Sequence, residues 1–424
     1  MPQILRPGAH GPERTGGAAH RAAERTTQTV WRKLMRKHPS SMMAVLAILM
    51  LILAACTGGG ESPSAAAESE PAESEPAESA APSESAAASE APTGLAACGE
   101  PESGDALTIG VVTDVGQLED KSFNEASWCG AIAGATSVGG TADVIVTEAP
   151  ADYAQNIQTF VDRDFDVIIT VGFAIGDATL AAAEENPETW FIGVDQFIAA
   201  DPPPDNYMGL LYNEAQAGYL AGIVAANISE TGVIGAVGGI DSVPPVVNYI
   251  SGYANGAASV NPDIEVLIEY ASTDITTAFN DPATGKSIGE QMIGADADVL
   301  FQVAGLTGQG TLEAACDAGV YGIGVDVDQY ISLPDLGECI VTSAEKKLKE
   351  SVQAAIERVA DESAEPGNVF HGAAADPPGV GVSPFHDFED VLDPAVQEAV
   401  DEAFDALADG SIDPCEGPQP CFGS

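Results

Sequence analysis

From residue 107 onward, short runs rich in Val and Ile alternate with segments of helical periodicity. Strand–helix–strand repeats of this kind give parallel sheets with right-handed crossovers and helices on their faces. The part from residue 105 to the end has about 320 residues, which suits two lobes better than one core. We predict an α/β fold in which the chain leaves its first sheet near residues 206–212. The predicted strands are 107–112, 143–147, 167–171, 190–194, 233–237, 264–269, 299–303 and 322–326, and the predicted helices are 122–136, 151–163, 175–186, 213–228, 245–260, 308–318, 343–360 and 393–409.

The residues before this repeat differ sharply in composition. Residues 1–34 have no periodicity and are expected to be an unstructured or untranslated extension. In 35–55, a basic pair precedes an apolar run of about 12 residues, which predicts an export signal because the run is too short to span a bilayer. The LAAC sequence ending at Cys56 is similar to a bacterial lipobox. It predicts lipidation of Cys56 and attachment to the extracytoplasmic face of the cell membrane, with an ordinary signal peptide as the alternative.

A low-complexity segment, residues 56–104, follows the predicted lipidation site. It repeats Glu-Ser-Glu-Pro-Ala and contains almost no large apolar residue. Such a segment cannot bury a hydrophobic core. We predict that it is an acidic tether that holds the folded part away from the membrane.

The charge of the chain excludes one class of partner. Eight of the 15 Lys and Arg and two of the 65 acidic residues precede Cys56, so the chain from Cys56 onward has a net charge of −56. This charge repels nucleic acid and anionic lipid head groups. We therefore expect no nucleic-acid partner.

The cysteines that follow Cys56 permit disulfides. They are even in number, and exported chains commonly pair their cysteines. Several connectivities are possible, and only Cys415 and Cys421 are close enough in sequence to be paired by proximity. Just two histidines, His371 and His386, follow Cys56, so a zinc site is not expected.

One predicted strand-to-helix turn carries Asp114, Phe123 and Asn124 at the carboxyl end of a strand, where open α/β sheets bind small ligands. Ser122 and Glu125 fit a capping box, which gives them a structural role. Asp114 would then accept hydrogen bonds from a ligand or cap the turn. Phe123 would offer its ring to a flat ligand or pack in the core.

Other candidate residues lie at the same edge of the predicted sheets. Asp195 and Asp326 directly follow strands, and a carboxylate can accept two bonds from the vicinal hydroxyls of a sugar. Lys346 is predicted in the first turn of a helix, where the helix dipole disfavours a cation. It is either a ligand contact or part of a solvated lysine cluster. Gly305 begins a glycine-rich segment that either turns its backbone N–H groups toward a ligand or makes a tight turn.

No catalytic or cofactor motif is recognised. Gly116 stands alone where a dinucleotide-binding turn has G-x-G-x-x-G, and the segment after Gly305 lacks the Gly-Lys-Ser/Thr of a P-loop. Neither His371 nor His386 lies in a recognisable triad. We predict that the chain is not an enzyme and has no cofactor and no metal.

A series of motifs occurs in a fixed order along the chain: VTDVG (112–116), DKSFN (120–124), VGF (171–173), GYLAG (218–222), VGG (237–239), GYANG (252–256), NPD (261–263), AGLTG (304–308), GVDVDQ (324–329), TS (342–343) and GVGVSPF (379–385). Together they resemble the basic membrane protein family of substrate-binding lipoproteins of ABC importers, which includes purine nucleoside receptors. The resemblance covers nearly all of residues 107–410.

The resemblance implies a type I periplasmic-binding-protein fold, in which two lobes joined by three hinge crossings close on a ligand. On this basis, residues 105–212 plus about 335–365 form lobe 1. Residues 213–334 plus about 366–410 form lobe 2, and residues 411–424 form a tail that contains cysteines.

The resemblance also implies roles for the site residues. Phe123 would stack on a nucleoside base, and Asp114 and Asn124 would hydrogen-bond with it. Asp326 and Lys346 would bind the ribose.

A second aromatic residue is expected on the other side of the base. Tyr249 could take this place, although Asn248 stands where relatives have Arg. We predict a lipid-anchored receptor that captures a purine or related nucleoside and delivers it to an ABC permease. The alternatives are a receptor of the same fold for a sugar or another small metabolite, and an extracellular enzyme acting on nucleosides.

Overall fold

The computed structural model describes residues 95–99 and 104–423. The expected extension, signal peptide, lipidated Cys56 and most of the tether lie outside the described residues. The last part of the expected tether overlaps a short helix, α1 (Leu95–Cys98), and Leu95 packs against the hydrophobic core. The folded part therefore begins earlier than the expected residue 105. In the ranges that are described, no helix is long and apolar enough to cross a bilayer.

The first sheet contains six strands, all parallel to their neighbours. They are β1 (Thr108–Val115), β2 (Thr141–Thr147), β3 (Val167–Val171), β4 (Trp190–Val194), β5 (Tyr207–Tyr212) and β11 (Gly367–His371). Their order is β11–β5–β4–β3–β1–β2. All five residues of β3 are buried, as expected for a parallel strand covered on both faces. The helices of this lobe are α2 (Phe123–Val138), α3 (Tyr153–Val161), α4 (Gly176–Glu185) and α11 (Leu348–Ala360).

The second sheet has the same architecture with one antiparallel edge strand. Its strands are β6 (Val233–Gly238), β7 (Glu265–Tyr270), β8 (Val299–Val303), β9 (Tyr321–Asp326), β10 (Ile340–Lys346) and β12 (Val380–Val382). Their order is β12–β10–β9–β8–β6–β7, and β12 runs antiparallel to β10. Its helices are α5 (Glu214–Ile228), α6 (Pro244–Val260), α7 (Ile275–Ala278), α8 (Pro282–Gly294), α9 (Gly305–Ala318), α10 (Gln329–Ser332) and α12 (Pro394–Ala408).

The chain passes between the sheets three times, after β5, after β10 and after β11. The predicted two-lobed α/β fold is therefore confirmed. The expected lobe boundaries were wrong, because residues 340–346 pair with β9 in the second sheet and residues 367–371 pair with β5 in the first. The polar side chains of β10 explain the error. Thr342 is buried and its hydroxyl donates to the carbonyl of Ser383, a partner 41 residues away.

Glycines allow the close packing of α5 against α6. A Cβ on Gly218 would lie 2.1 Å from the carbonyl oxygen of Tyr249, and one on Gly252 would lie 2.1 Å from that of Ala215. Any larger side chain at either position would force the two helices apart, because protein cores are close-packed. This contact fixes the position of α6 beside the cleft between the lobes.

The six cysteines after Cys56 form three disulfides: Cys98–Cys129, Cys316–Cys339 and Cys415–Cys421. The pairing predicted from proximity, Cys415 with Cys421, is thus confirmed. The loop that this disulfide closes lies along α6. Asn255 donates to the carbonyls of Pro414 and Gln419 at 2.9 and 2.8 Å. The side-chain oxygen of Asn248 accepts from the N–H of Phe422, which gives Asn248 a structural contact in the tail.

Candidate functional site

One cavity lies where the carboxyl ends of the strands of both sheets meet. It occupies about 720 Å³, counting the space open to solvent. The structure brings all of the predicted ligand-binding residues to this cavity: Asp114, Phe123, Asn124, Asp195, Tyr249, Gly305, Asp326 and Lys346. Their convergence is a structural fact, and their roles toward a ligand stay predictions.

Asp114 is held firmly at the end of β1. Its carboxylate accepts hydrogen bonds from the hydroxyl of Tyr153 and, at 2.7 Å, from the N–H of Val115. Gly172 makes room for it, because a Cβ on Gly172 would lie 2.3 Å from Asp114 Oδ2. Burial raises the pKa of Asp114, while these hydrogen bonds partly offset the rise. Asp114 is therefore a fixed hydrogen-bond acceptor on the wall of the cavity.

The amino end of α2 is capped by Asp120 and not by the predicted Ser122–Glu125 capping box. The Asp120 carboxylate accepts from the backbone N–H groups of Ser122, Asn124 and Glu125 at 3.0, 2.8 and 3.1 Å. Glu125 instead pairs with the ammonium group of Lys121 at 3.2 Å. Burial raises the pKa of Asp120 to about 7, although the three N–H donors favour its charged form.

The side chain of Ser122 does not cap α2, because its hydroxyl contacts the other lobe. Its hydroxyl donates to Asp326 Oδ2 at 2.7 Å and lies 3.3 Å from the carbonyl oxygen of Val325. The expectation that Ser122 has only a local role was therefore wrong. The contact joins the turn before α2 in the first lobe to the end of β9 in the second.

Two buried acceptors at the cavity have no hydrogen-bond partner among the described residues. They are Oδ1 of Asn124 and Oδ1 of Asp195. The amide nitrogen of Asn124 donates to the carbonyl of Gln117 at 3.2 Å, which holds the side chain in place. A buried polar atom without a partner costs free energy. The cavity is thus arranged to receive hydrogen-bond donors.

Asp195 and Asp326 occupy matching positions in the two lobes. Each directly follows a Gly-Val pair at the end of a central strand, β4 in one lobe and β9 in the other. Both have left-handed backbone conformations, with φ of 59° and 65°. Residues other than glycine adopt this conformation at a cost, and such strain concentrates at functional sites. The geometry turns both carboxylates toward the cleft.

Lys346 is the last residue of β10 and not part of a helix as predicted. Its ammonium group lies 2.7 Å from Asp195 Oδ2, 3.6 Å from Glu214 Oε1 and 3.8 Å from Asp326 Oδ1. It also lies 4.8 Å from the centre of the Phe123 ring, within range of a cation–π contact. Lys346 is therefore a buried cation shared by both lobes, and the alternative of a solvated lysine cluster is wrong.

The charges around Lys346 shift one another strongly. Burial alone would lower the pKa of Lys346, but the carboxylates of Asp195, Asp326 and Glu214 outweigh burial and raise it. Burial raises the pKa of Glu214 to about 8, against the effect of Lys346. Burial likewise raises the pKa of Asp195. Three carboxylates share one ammonium group, so the cluster has an excess of negative charge.

The aromatic lining differs from the prediction at one position. Tyr249 is 1 % exposed, its hydroxyl contacts Asp326 at 3.4 Å, and its ring packs edge-on against Phe301. It is therefore poorly placed to stack on a ligand. Phe173, which is 43 % exposed, and Phe279 also line the cavity and were not predicted. The signal for Phe173 was its position two residues after the end of β3, close to the sheet edge where acids follow other strands.

Gly305 opens α9 beside the cavity with a φ of 55°. A Cβ at this position would lie 3.3 Å from the carbonyl oxygen of Phe279. The tight turn considered from the sequence is therefore real. It also brings the start of α9 to the cleft.

The lobes touch each other through the turn at residues 120–122, which we call the inter-lobe turn. Three hydrogen bonds besides those of Ser122 join it to the second lobe: Gln309 Nε2 to the carbonyl of Asp120 at 2.9 Å, Ser332 Oγ to the carbonyl of Lys121 at 3.0 Å, and Gln329 Nε2 to the same carbonyl at 3.4 Å. Lys121 has a left-handed backbone with a φ of 57°. The cleft is thus seen in a closed arrangement.

Two α/β lobes joined by three crossings, with a polar and aromatic cleft between them, define a receptor that closes on a small solute. Residues 107–408 match the family described as "ABC transporter substrate-binding protein PnrA-like". The chain belongs to this family of ABC transporter substrate-binding proteins, which confirms the resemblance to the basic membrane proteins.

Individual relatives agree with this assignment. The chain is 32% identical over 235 residues to the "ABC transporter nucleoside-binding protein BmpA" of Lactococcus lactis, covering 53% of this chain and 64% of that protein. It is 31% identical over 237 residues to "Basic membrane protein A" of Borreliella burgdorferi, covering 54% of this chain and 66% of that protein. The matched segments thus span less than two thirds of these relatives.

A solved structure shows the same architecture. The crystal structure of an ABC transporter solute-binding protein from Aeropyrum pernix K1 superposes with a TM-score of 0.66 at 25% identity, over 74% of this chain and 94% of that one. The relatives and the fold are those of solute-binding proteins and not of enzymes, in agreement with the prediction.

A Gly-Lys-Ser-Ile-Gly sequence at 285–289 does match the G-x-S-x-G pattern, but it lies inside α8 and not at a strand-to-helix turn.

Proposed function

We propose that this chain binds a purine or related nucleoside between its two lobes and delivers it to the permease of an ABC importer. The observation that carries the proposal is the combination of aromatic rings (Phe123, Phe173, Phe279) with fixed acceptors (Asp114, Asn124) in one cleft. A purine base is flat and has N–H donors at its edge, so it uses both kinds of group. The name of the Lactococcus lactis relative supports the same class of ligand.

In this proposal, Phe123 stacks on the base, and Asp114 and Asn124 accept hydrogen bonds from its edge. The ribose hydroxyls lie among Asp195, Asp326 and Lys346. A carboxylate accepts two bonds from a vicinal diol, and two acids supplied by different lobes bind the sugar only when the lobes are closed. The ligand therefore shifts the population toward the closed form, because it contacts both lobes there.

The proposal is tested by a thermal-shift screen of adenosine, guanosine, inosine, their free bases and free sugars, followed by calorimetry on each compound that stabilises the protein. Nucleosides are expected to raise the melting temperature, because a ligand that binds only the folded form stabilises it. A response to free sugars and none to nucleosides would refute the proposal and favour the sugar receptor. Release of free base during incubation with a nucleoside would favour the enzyme.

The stacking role is tested separately with Phe123→Ala. A stacked base loses about 1–3 kcal/mol when its aromatic partner is removed, so the nucleoside Kd should rise about 5- to 150-fold. Phe370→Ala is the matched control, because Phe370 is 69 % exposed on the edge strand β11 and does not line the cavity. An unchanged Kd in Phe123→Ala would exclude stacking on this ring.

We also propose that the receptor works on the extracytoplasmic face, anchored through a lipid on Cys56. The LAAC sequence ending at Cys56 and the family of the chain support this. Expression of a Cys56→Ala variant in bacteria should move the protein from the membrane fraction to the soluble extracytoplasmic fraction. Equal membrane retention of both proteins would refute the anchor.

A further inference from the structure

Glu214 is a buried acid that the binding proposal does not use. It is the first residue of α5 and lies at the first crossing between the lobes. Its side chain is 5 % exposed and lies behind the cleft, outside the lining of the cavity. Its Oε1 atom lies 3.6 Å from the ammonium nitrogen of Lys346, a residue at the second crossing. Lys346, which lines the cavity, therefore links Glu214 to the cleft.

The three acids around Lys346 are not equally compensated. Asp195 takes the direct contact at 2.7 Å, and Asp326 accepts from Ser122 at 2.7 Å and lies 3.4 Å from the hydroxyl of Tyr249. Glu214 has the longer 3.6 Å contact to an ammonium group that is already engaged. Since one positive charge cannot balance three buried negative charges, the least compensated acid is the best site for a proton.

The groups that face Glu214 come from each neighbouring element. They are Lys346 of β10, Asp195 of β4, Asp326 of β9, Tyr212 of β5 and Tyr249 of α6. The ring of His371 of β11 stacks on Tyr212. Burial raises the pKa of both tyrosines above the ordinary value and lowers that of His371. None of these shifts supplies Glu214 with a second cation at neutral pH.

We propose that Glu214 is a positioning residue that takes up a proton when the cleft closes on its ligand, and that in its neutral form it holds Lys346 between Asp195 and Asp326. This inference rests on the proposed nucleoside binding. Asp195 and Asp326 belong to different lobes, so closure brings both carboxylates to one ammonium group and removes water from all of them. The proton on Glu214 removes the excess negative charge that closure would otherwise bury.

The direction of the pH dependence follows from this linkage. Burial in the closed form raises the pKa of Glu214 to about 8, from an ordinary value of 4.5. An acid whose pKa is higher in the bound form takes up a proton on binding, so affinity falls as pH rises between the pKa of the open form and about 8. For one proton, Kd rises up to about tenfold per pH unit in that window. Below the window and above it, the titration of Glu214 no longer makes Kd depend on pH.

The test compares the wild type with Glu214→Gln, which keeps the shape of the side chain and cannot ionise. Guanosine and adenosine are titrated by calorimetry from pH 6 to 9 in buffers of different ionisation enthalpy, which counts the protons taken up. The wild type should take up close to one proton near pH 7 and lose affinity by pH 8.5. Glu214→Gln should lose this uptake and bind more tightly than the wild type at pH 8.5.

Glu345→Gln is the matched control. Glu345 precedes Lys346, is partly buried and pairs with Lys347 at 2.7 Å, but it does not line the cleft. This variant should keep the proton uptake of the wild type. Uptake by Glu214→Gln equal to that of the wild type would overturn the inference while leaving nucleoside binding intact.

Melting temperatures with and without nucleoside separate the two proposals. A raised pKa in the folded state stabilises the protein below the pKa of the unfolded chain, and this stability is lost as pH rises through the folded pKa. With guanosine or adenosine bound, the melting temperature of the wild type relative to Glu214→Gln should therefore fall as pH rises toward about 8, and without ligand this fall should be smaller and lie at lower pH. If neither nucleoside raises the melting temperature, the ligand proposal fails. A fall of the same size with and without nucleoside would overturn the inference while leaving nucleoside binding intact.

Discussion

Lys346→Met is the substitution with the largest expected effect on the cleft. It removes the ammonium group that lies 2.7 Å from Asp195 and within 3.8 Å of Asp326 and Glu214, in a cluster where Lys346 is 2 % exposed. Removing one partner of a buried ion pair costs about 3–5 kcal/mol, because the remaining charges are left buried and uncompensated. We expect a loss of this size in the free energy of unfolding at pH 8.

Urea unfolding measures this loss. With a slope of about 3 kcal/mol per M, the midpoint should fall by about 1 to 1.7 M at pH 8. At pH 5.5 the fall should be less than half as large, because the carboxyl groups become protonated when their cation is gone. Adding Glu214→Gln to Lys346→Met should restore part of the loss at pH 8.

A neighbouring lysine supplies the control. Lys347 has a side chain that is 41 % exposed, and it pairs with Glu345 at 2.7 Å. Exposed pairs contribute about 0–1 kcal/mol, so Lys347→Met should change the midpoint little at either pH. Equal losses from Lys346→Met and Lys347→Met, or a loss from Lys346→Met that does not depend on pH, would refute a role for the buried charges.

Two further substitutions probe the geometry of the cleft. Ser122→Ala removes the hydroxyl that donates to Asp326 across the lobes. A hydrogen bond to a charged group contributes about 1.5–3 kcal/mol. If this contact forms only on closure, the nucleoside Kd measured by calorimetry should rise about 10- to 150-fold. Gly172→Ala places a methyl group 2.3 Å from Asp114 Oδ2 at a φ of 107° and should weaken nucleoside binding at least tenfold, whereas Gly381→Ala, with no atom within 4 Å of its new Cβ, should bind as the wild type does. Unchanged affinity in either cleft variant would contradict its assigned contact.

The strand ends of the cleft could be predicted because their signals are local. An apolar run followed directly, or after one residue as at Thr113, by an acid indicates a buried strand that ends at a sheet edge, and this placed Asp114, Asp195 and Asp326 correctly. The convergence of Asp114 and Asp195 follows from their shared parallel sheet, whereas Asp326 joins them through the docking of the second lobe. The sequence does not show that Asp195 and Asp326 have left-handed backbones. It also does not show that Lys346, at the second crossing between the lobes, lies near Asp326.

The context of Lys346 could not be predicted because it depends on distant partners. Thr342 and Ser343 make β10 look unlike a buried strand. The Thr342 hydroxyl donates to the carbonyl of Ser383, and the Ser343 hydroxyl oxygen accepts from the backbone N–H of Gln329. The residue that caps α2 could not be predicted for the same reason, since a distant partner determines it. Ser122 and Asp120 are both good capping residues, and the choice between them is made by Asp326, 204 residues away in the chain.

The directions of the aromatic side chains at the cavity could not be predicted from the sequence either. Tyr249 lies on α6, and its spacing along the helix does not reveal that its ring is buried and packs edge-on against Phe301. Phe173 and Phe279 reach the cavity from loops after β3 and α7, where no periodicity marks the direction of a side chain. Their positions follow from the docking of both lobes.

The disulfide between Cys98 and Cys129 has a mechanical consequence. It joins the segment that precedes β1 to the middle of α2, so a pull on the N-terminal side of the chain reaches the first lobe by two covalent routes, the main chain and the sulfur bridge. The load therefore enters on the lobe that carries Phe123 and Asn124 and does not stretch the three crossings. If the chain is anchored through Cys56 as proposed, the second lobe is the one that moves relative to the anchor when the cleft opens.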